Sequence, residues 1–73
     1  MGKLGNISAK EAVKAFRRAG WRPSIQVGSH PTLIKPGHRA HLSIPMHREL
    51  AVGTLRSLIR DAEMTVDEFL ALL

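Results

Sequence analysis

The sequence predicts an α+β domain of order α-β-β-β-α-α, in which a three-stranded antiparallel sheet has its helices packed on one face. Three observations carry that expectation. Apolar residues recur at helical spacing near both ends of the chain, over 9–19 and again over 52–62. Between them, residues 39–44 alternate polar and apolar with period two, the pattern of a half-buried strand. Two capping boxes, Ser8-Ala-Lys-Glu11 and Thr65-Val-Asp-Glu68, mark helix starts. A sheet with one apolar face is most simply buried under the apolar stripes of helices.

The first helix is expected from Ala9 to Ala19. The Ser8 hydroxyl can accept from the Glu11 N–H while the Glu11 carboxylate accepts from the Ser8 N–H, and Ala12, Val13, Phe16 and Ala19 form one stripe. Arg17 and Arg18 suit the negative end of the helix dipole, and Gly20 supplies the stop. Ile25 and Val27, two apart, suggest a first strand, which Pro23 confines to a sheet edge or bends. Thr32–Lys35 reads as a short second strand closed by the turn Pro36-Gly37-His38. In the third, Ala40, Leu42 and Ile44 face inward and Arg39, His41 and Ser43 outward. Residues 46–52 form a connecting loop. The second helix then has the stripe Val52, Leu55, Leu58, Ile59 and Ala62, with Arg56 and Arg60 sharing another face at i, i+4. A last helix, Val66 to Leu73, brings Phe69, Leu70 and Leu73 onto the domain, with Met64 and Phe69 placed as a hydrophobic staple. Trp21 and Phe16 are expected in the core rather than as base-stacking platforms.

Seventy-three residues make one domain, 1–73, with residues 1–6 expected as a flexible N-terminal segment. Such a chain buries only about 60% of its unfolded surface, so its core is small. It has no room for a doubly wound nucleotide-binding sheet or a barrel. No cysteine means no disulfide framework and no thiolate zinc site, which fits a reducing cytosol. No apolar run approaches the roughly 20 residues of a membrane span. The N-terminus lacks the apolar stretch of a signal peptide. A cytoplasmic protein is the expectation.

Charge is unevenly placed. Residues 1–60 hold all 11 basic groups and only Glu11 and Glu49 as acids, a balance of +9, whereas residues 61–73 hold four acids and no base. A basic surface of this kind favours a polyanionic partner, because neutralising phosphates releases counterions.

Imidazole is the main candidate for acid–base chemistry near neutral pH. His30 follows Gly28-Ser29 at an expected hairpin turn and precedes Pro31. Gly28 allows a sharp turn, Ser29 could contact a phosphate, and Pro31 keeps His30 out of the helical region. His38 and His41, three apart on a turn and strand, point to opposite faces, and no carboxylate or cysteine lies near them in sequence, so no metal site is expected. His41 reads as a solvent-facing strand residue that could meet RNA. His47, on the loop after the third strand, is open to either loop anchoring or catalysis. No paired carboxylates, nucleophile elbow or phosphate-binding glycine loop is present.

Taken together, Ser8-Ala-Lys-Glu11 before Ala19-Gly20-Trp21, Gly28-Ser29-His30, Ser43-Ile-Pro-Met-His47, Gly53-Thr-Leu-Arg56 and Thr65-Val-Asp-Glu-Phe69 resemble the HicA toxins, over about residues 7–73. The resemblance implies a double-stranded-RNA-binding-domain-like fold. It also implies a metal-independent endoribonuclease acting on mRNA, without a cofactor, and held inactive by a HicB antitoxin covering the active surface. The family's catalytic histidine carries over to His30, with Gly28 shaping the turn, and His47 matches a histidine often seen in the family. Lys35, Arg39, His41, His47, Arg56 and Arg60 are candidate RNA contacts. The general acid stays open between His47, His41 and water. Glu63 departs from the pattern, standing where the family usually has a helix-ending glycine. The competing class is a non-catalytic reader of duplex RNA, against which stands the lack of a lysine cluster opening the second helix.

Overall fold

The computed structural model describes residues 4–24 and 31–73. Its elements run α1 (Ala9–Arg18), β1 (Arg22–Pro23), β2 (Thr32–Ile34), β3 (Leu42–Ser43), α2 (Val52–Asp61) and α3 (Val66–Ala71). The sheet is an antiparallel meander of order β1-β2-β3, in which Arg22 pairs with Ile34, Pro23 with Leu33, Thr32 with Ser43 and Leu33 with Leu42. This is the expected α+β, double-stranded-RNA-binding-domain-like order. The segment expected to carry Ile25 and Val27 lies outside the described residues.

Both capping boxes form. Ser8 Oγ accepts from Glu11 N–H at 3.1 Å and Glu11 Oε1 from Ser8 N–H at 3.0 Å. Thr65 and Glu68 repeat the exchange at 3.1 and 2.8 Å. Helix α1 ends one residue earlier than expected, with Ala19 as its C-cap. There Gly20 takes a φ of 101°, and the N–H groups of Gly20 and Trp21 donate to Arg17 O and Phe16 O. That is a Schellman stop, in which only glycine adopts the left-handed position without strain.

The strands are shorter than the sequence pattern suggests, but the inside-outside alternation holds. Leu33, Leu42 and Ile44 are buried, while Ile34, His41 and Ser43 are exposed. Ile44 N–H still bonds to Pro31 O at 3.0 Å, carrying the pairing one step past β3. Pro23 sits on the edge strand, as its missing N–H requires. Between β2 and β3, His38 N–H donates to Lys35 O at 3.1 Å across Pro36 and Gly37. Gly37 has a φ of 85°, the Pro-Gly order of a type II turn.

The core gathers Phe16, Trp21, Leu33, Leu42, Ile44, Leu50, Leu55, Ile59 and Phe69, all essentially inaccessible. Phe16 of α1 and Phe69 of α3 pack with ring centroids 5.0 Å apart and planes tilted 46°, a favourable aromatic geometry. Met64 and Leu70 pack on the core's edge.

Three apolar expectations need correction. Val52 is 44% exposed. It opens α2 beside exposed Ala51 and Gly53, so the helix enters the core only at Leu55. Leu73 is 47% exposed, because α3 ends at Ala71 and the helical stripe ends with it. Leu4, expected in a flexible segment, is buried, so the chain is anchored before Ile7.

Glu63 completes a second Schellman stop. Its φ is 58°, and Glu63 and Met64 N–H donate to Arg60 O and Ile59 O at 2.9 and 3.1 Å. A residue with a Cβ is strained in this region by about 1 kcal/mol. Its carboxylate lies 3.4 Å from His38 Nδ1, and exposed pairs of this kind contribute only about 0–1 kcal/mol. Glu63→Gly removes the strain and the pair together, whereas Glu63→Ala removes only the pair. Chemical denaturation should therefore find Glu63→Gly more stable than Glu63→Ala by about 1 kcal/mol. Equal stabilities would show that the left-handed position costs nothing here.

Candidate functional site

The loop from Pro45 to Leu50 is held by the backbone against the start of α1. Ala9 N–H donates to His47 O at 3.1 Å, Leu50 N–H to Ile7 O at 2.8 Å, and His47 N–H folds back on Pro45 O at 2.9 Å. His47's carbonyl thereby satisfies one of the free N–H groups that open a helix. Its imidazole is exposed, as are Met46 and Arg48.

Two shallow depressions adjoin there. One is lined by Ser8, Lys10, Met46, His47 and Arg48. The other is lined by Lys10, Val13, Lys14, Arg17, Pro31 and Met46. Because Lys10 and Met46 line both, they form one continuous surface along α1. Lys10, Lys14 and Arg17 stand at i, i+4 and i+7, on one side of the helix. All three are exposed, and none is in an ion pair among the described residues. Glu11, the only acid of α1, is turned back onto Ser8 N–H. None of these three cations was among the candidate RNA contacts read from the sequence, although their spacing alone could have marked them.

The candidates taken from the sequence fall in several places. His30, Gly28 and Ser29 lie outside the described residues, and Pro31, next in the chain to His30, lines the basic depression. His47 belongs to the same surface. Arg56 and Arg60 line a separate depression with Ser57, Ile59, Met64, Thr65 and Val66. Arg39 and His41 are exposed on the chain leading into β3. Neither lines the surface along α1.

Lys35, a candidate RNA contact in the sequence, makes a bond within the fold. Its Nζ donates to Ala19 O at 2.8 Å in a partly buried position, and its Cε is 3.2 Å from where a Gly20 Cβ would stand. It thus places a cation on the carbonyl end of α1, where the helix dipole favours one. His38 and His41 also separate. The His38 ring lies 5.4 Å from that of Trp21, whereas His41 faces solvent. No group of three or more His, Cys, Asp or Glu suited to a metal occurs among the described residues, and no helix there is long and apolar enough to cross a membrane.

The fold and this surface define a small basic α+β domain of the double-stranded-RNA-binding-domain-like class, with cations ranged along its first helix. The family model described as the HicA toxin of bacterial toxin–antitoxin matches residues 9–64, and the chain belongs to the HicA toxin family, the toxin side of a toxin–antitoxin system. No curated protein sequence matches it significantly.

The role of Lys35 can be checked directly. Lys35→Met keeps the aliphatic stem and removes the charged donor, leaving Ala19 O without it. It should lower unfolding stability by about 1–2 kcal/mol, since hydrogen bonds to charged groups contribute more than neutral ones. An unchanged denaturation midpoint would rule out the capping role.

Proposed function

We propose that the protein is a metal-independent endoribonuclease that cleaves mRNA, with His30 as general base, and that a HicB-type antitoxin inhibits it by covering the active surface. The observation that carries this reading is a juxtaposition: Pro31, which follows His30, lines the same depression as Lys10, Lys14 and Arg17. Cations that share a depression with the residue following the proposed base suit a phosphodiester substrate. Membership of a toxin family supplies the biological setting.

In this mechanism His30 takes the proton from a ribose 2′-OH. The oxygen attacks the adjacent phosphorus, the bond to the 5′-oxygen breaks, and a 2′,3′-cyclic phosphate remains. The leaving 5′-oxygen receives a proton from an acid, for which His47 on the adjoining loop, His41 and water are the candidates. Positioned proton transfer contributes about 10²–10⁴-fold. Basic side chains stabilise the charge that develops on the phosphate oxygens. Gly28 shapes the turn, and Ser29 contributes a phosphate contact. The cytoplasm is where such a protein meets its substrate.

Purified wild type should cleave single-stranded mRNA in EDTA, and His30→Ala, with an unchanged circular dichroism spectrum, should lose at least 10²-fold in rate. A substrate with a 2′-deoxyribose at the cleaved position should stay intact. Equal cleavage by both proteins would remove His30 from the mechanism. Cleavage of the deoxy substrate would remove the 2′-OH as nucleophile.

A further inference from the structure

We propose that the outer face of α1, formed by Lys10, Lys14 and Arg17 and continued by Arg48, is the track that holds the phosphate backbone of an unpaired RNA strand beside the loop from Pro45 to Leu50. The proposal rests on the ribonuclease reading for its location and adds the residues that carry substrate affinity. Three observations place the track on α1 rather than elsewhere on this basic chain.

The first is geometry. Lys10 to Arg17 spans seven residues, about 10 Å along the axis at 1.5 Å per residue, and Arg48 extends the row past the helix start through the depression it shares with Lys10. A row of that length faces successive phosphates of one strand. The second is availability. Arg18 donates to Leu72 O at 2.7 Å and Lys35 to Ala19 O, so these two cations tie elements together, and Arg56 and Arg60 line a different depression. Lys10, Lys14 and Arg17 have no such partner among the described residues, and Glu11, which lines a neighbouring depression with Lys14, spends one carboxylate oxygen on the Ser8 N–H.

The third observation selects an unpaired strand over a duplex. The cations surround an apolar floor of Val13, Pro31 and Met46, and Met46 is 47% exposed. A duplex keeps its base faces stacked inside, whereas an unpaired strand can lay a splayed base on such a floor while its phosphates meet the cations. The floor carries no aromatic ring and few hydrogen-bonding groups, so binding through it should depend little on base identity.

Binding is tested with fluorescently labelled single-stranded RNA on the His30→Ala background, so that cleavage does not interfere, across a series of salt concentrations. The neutral triple variant Lys10→Gln/Lys14→Gln/Arg17→Gln should bind roughly ten-fold or more weakly near 0.1 M salt, and its log K against log salt slope should flatten by about 2, three contacts at about 0.7 each on a single strand. The charge-keeping triple Lys10→Arg/Lys14→Arg/Arg17→Lys should restore both affinity and slope, and an unchanged circular dichroism spectrum of the neutral triple separates its loss of binding from misfolding. Duplex RNA of the same length should bind more weakly than the single strand.

Wild-type affinity and slope in the neutral triple would overturn the proposal. So would a greater loss from Arg56→Gln/Arg60→Gln, which would move the track to α2. Tighter binding of the duplex would overturn the choice of an unpaired strand. The two readings fail separately. An otherwise wild-type enzyme carrying the neutral triple that cleaves RNA with unchanged kcat/KM defeats the track and leaves the ribonuclease standing. Binding along α1 by a wild type that does not cleave does the opposite.

Discussion

Two backbone hydrogen bonds, Ala9 N–H to His47 O and Leu50 N–H to Ile7 O, fasten the loop after β3 to the beginning of α1. Much of the molecule depends on that fastening. It brings a segment more than thirty-five residues distant in sequence against the first helix, and it sets exposed Met46, His47 and Arg48 beside Lys10. It also seals the core at that end, since Leu4, Ile7 and Leu50 are all buried there. The bond from Ile44 N–H to Pro31 O extends the β2–β3 pairing to the residue just before that loop. A surface built from loop and helix gains rigidity when backbone atoms join the two, because such bonds do not depend on side-chain rotamers.

The uneven charge of the chain acquires a physical meaning in this fold. Among the acids, Glu11 and Glu68 close capping boxes. Asp67 stands in the first turn of α3, where a helix favours negative charge. Glu63 reaches His38. These four acids answer local needs of helix ends and turns, while Glu49 and Asp61 are exposed and in no ion pair among the described residues. A field of one sign over an open surface attracts a polyanion and is screened by salt.

How legible each feature was in the sequence follows the range of the interaction behind it. The capping boxes, the Gly20 stop and the Pro36-Gly37 turn are written in four to six consecutive residues, and each appears where it was expected. The alternation in 39–44 marked the buried Leu42 and Ile44 correctly, yet the ladder is confined to Leu42–Ser43, because its length depends on a partner strand elsewhere in the chain. Val52 follows the apolar stripe of α2 but stands a turn outside the core. The bond of Lys35 was not legible for the same reason: nothing nearby in sequence shows that its ammonium would meet Ala19 O, sixteen residues earlier. The row Lys10, Lys14, Arg17 was readable by spacing alone. Its proximity to Pro31 and Met46 was not.

Glu63 shows how the local and distant constraints trade against each other. A helix that must turn sharply into α3 needs a left-handed residue, and glycine meets that need without strain. Glutamate meets it at a cost, and in return its carboxylate reaches His38, whose ring lies against Trp21 in the core. The end of α2 is thereby linked to the β2–β3 turn, two elements that no backbone hydrogen bond joins among the described residues. A small core offers few contacts between its elements. In such a domain a partly strained residue that ties a helix end to a turn adds order where packing alone supplies little.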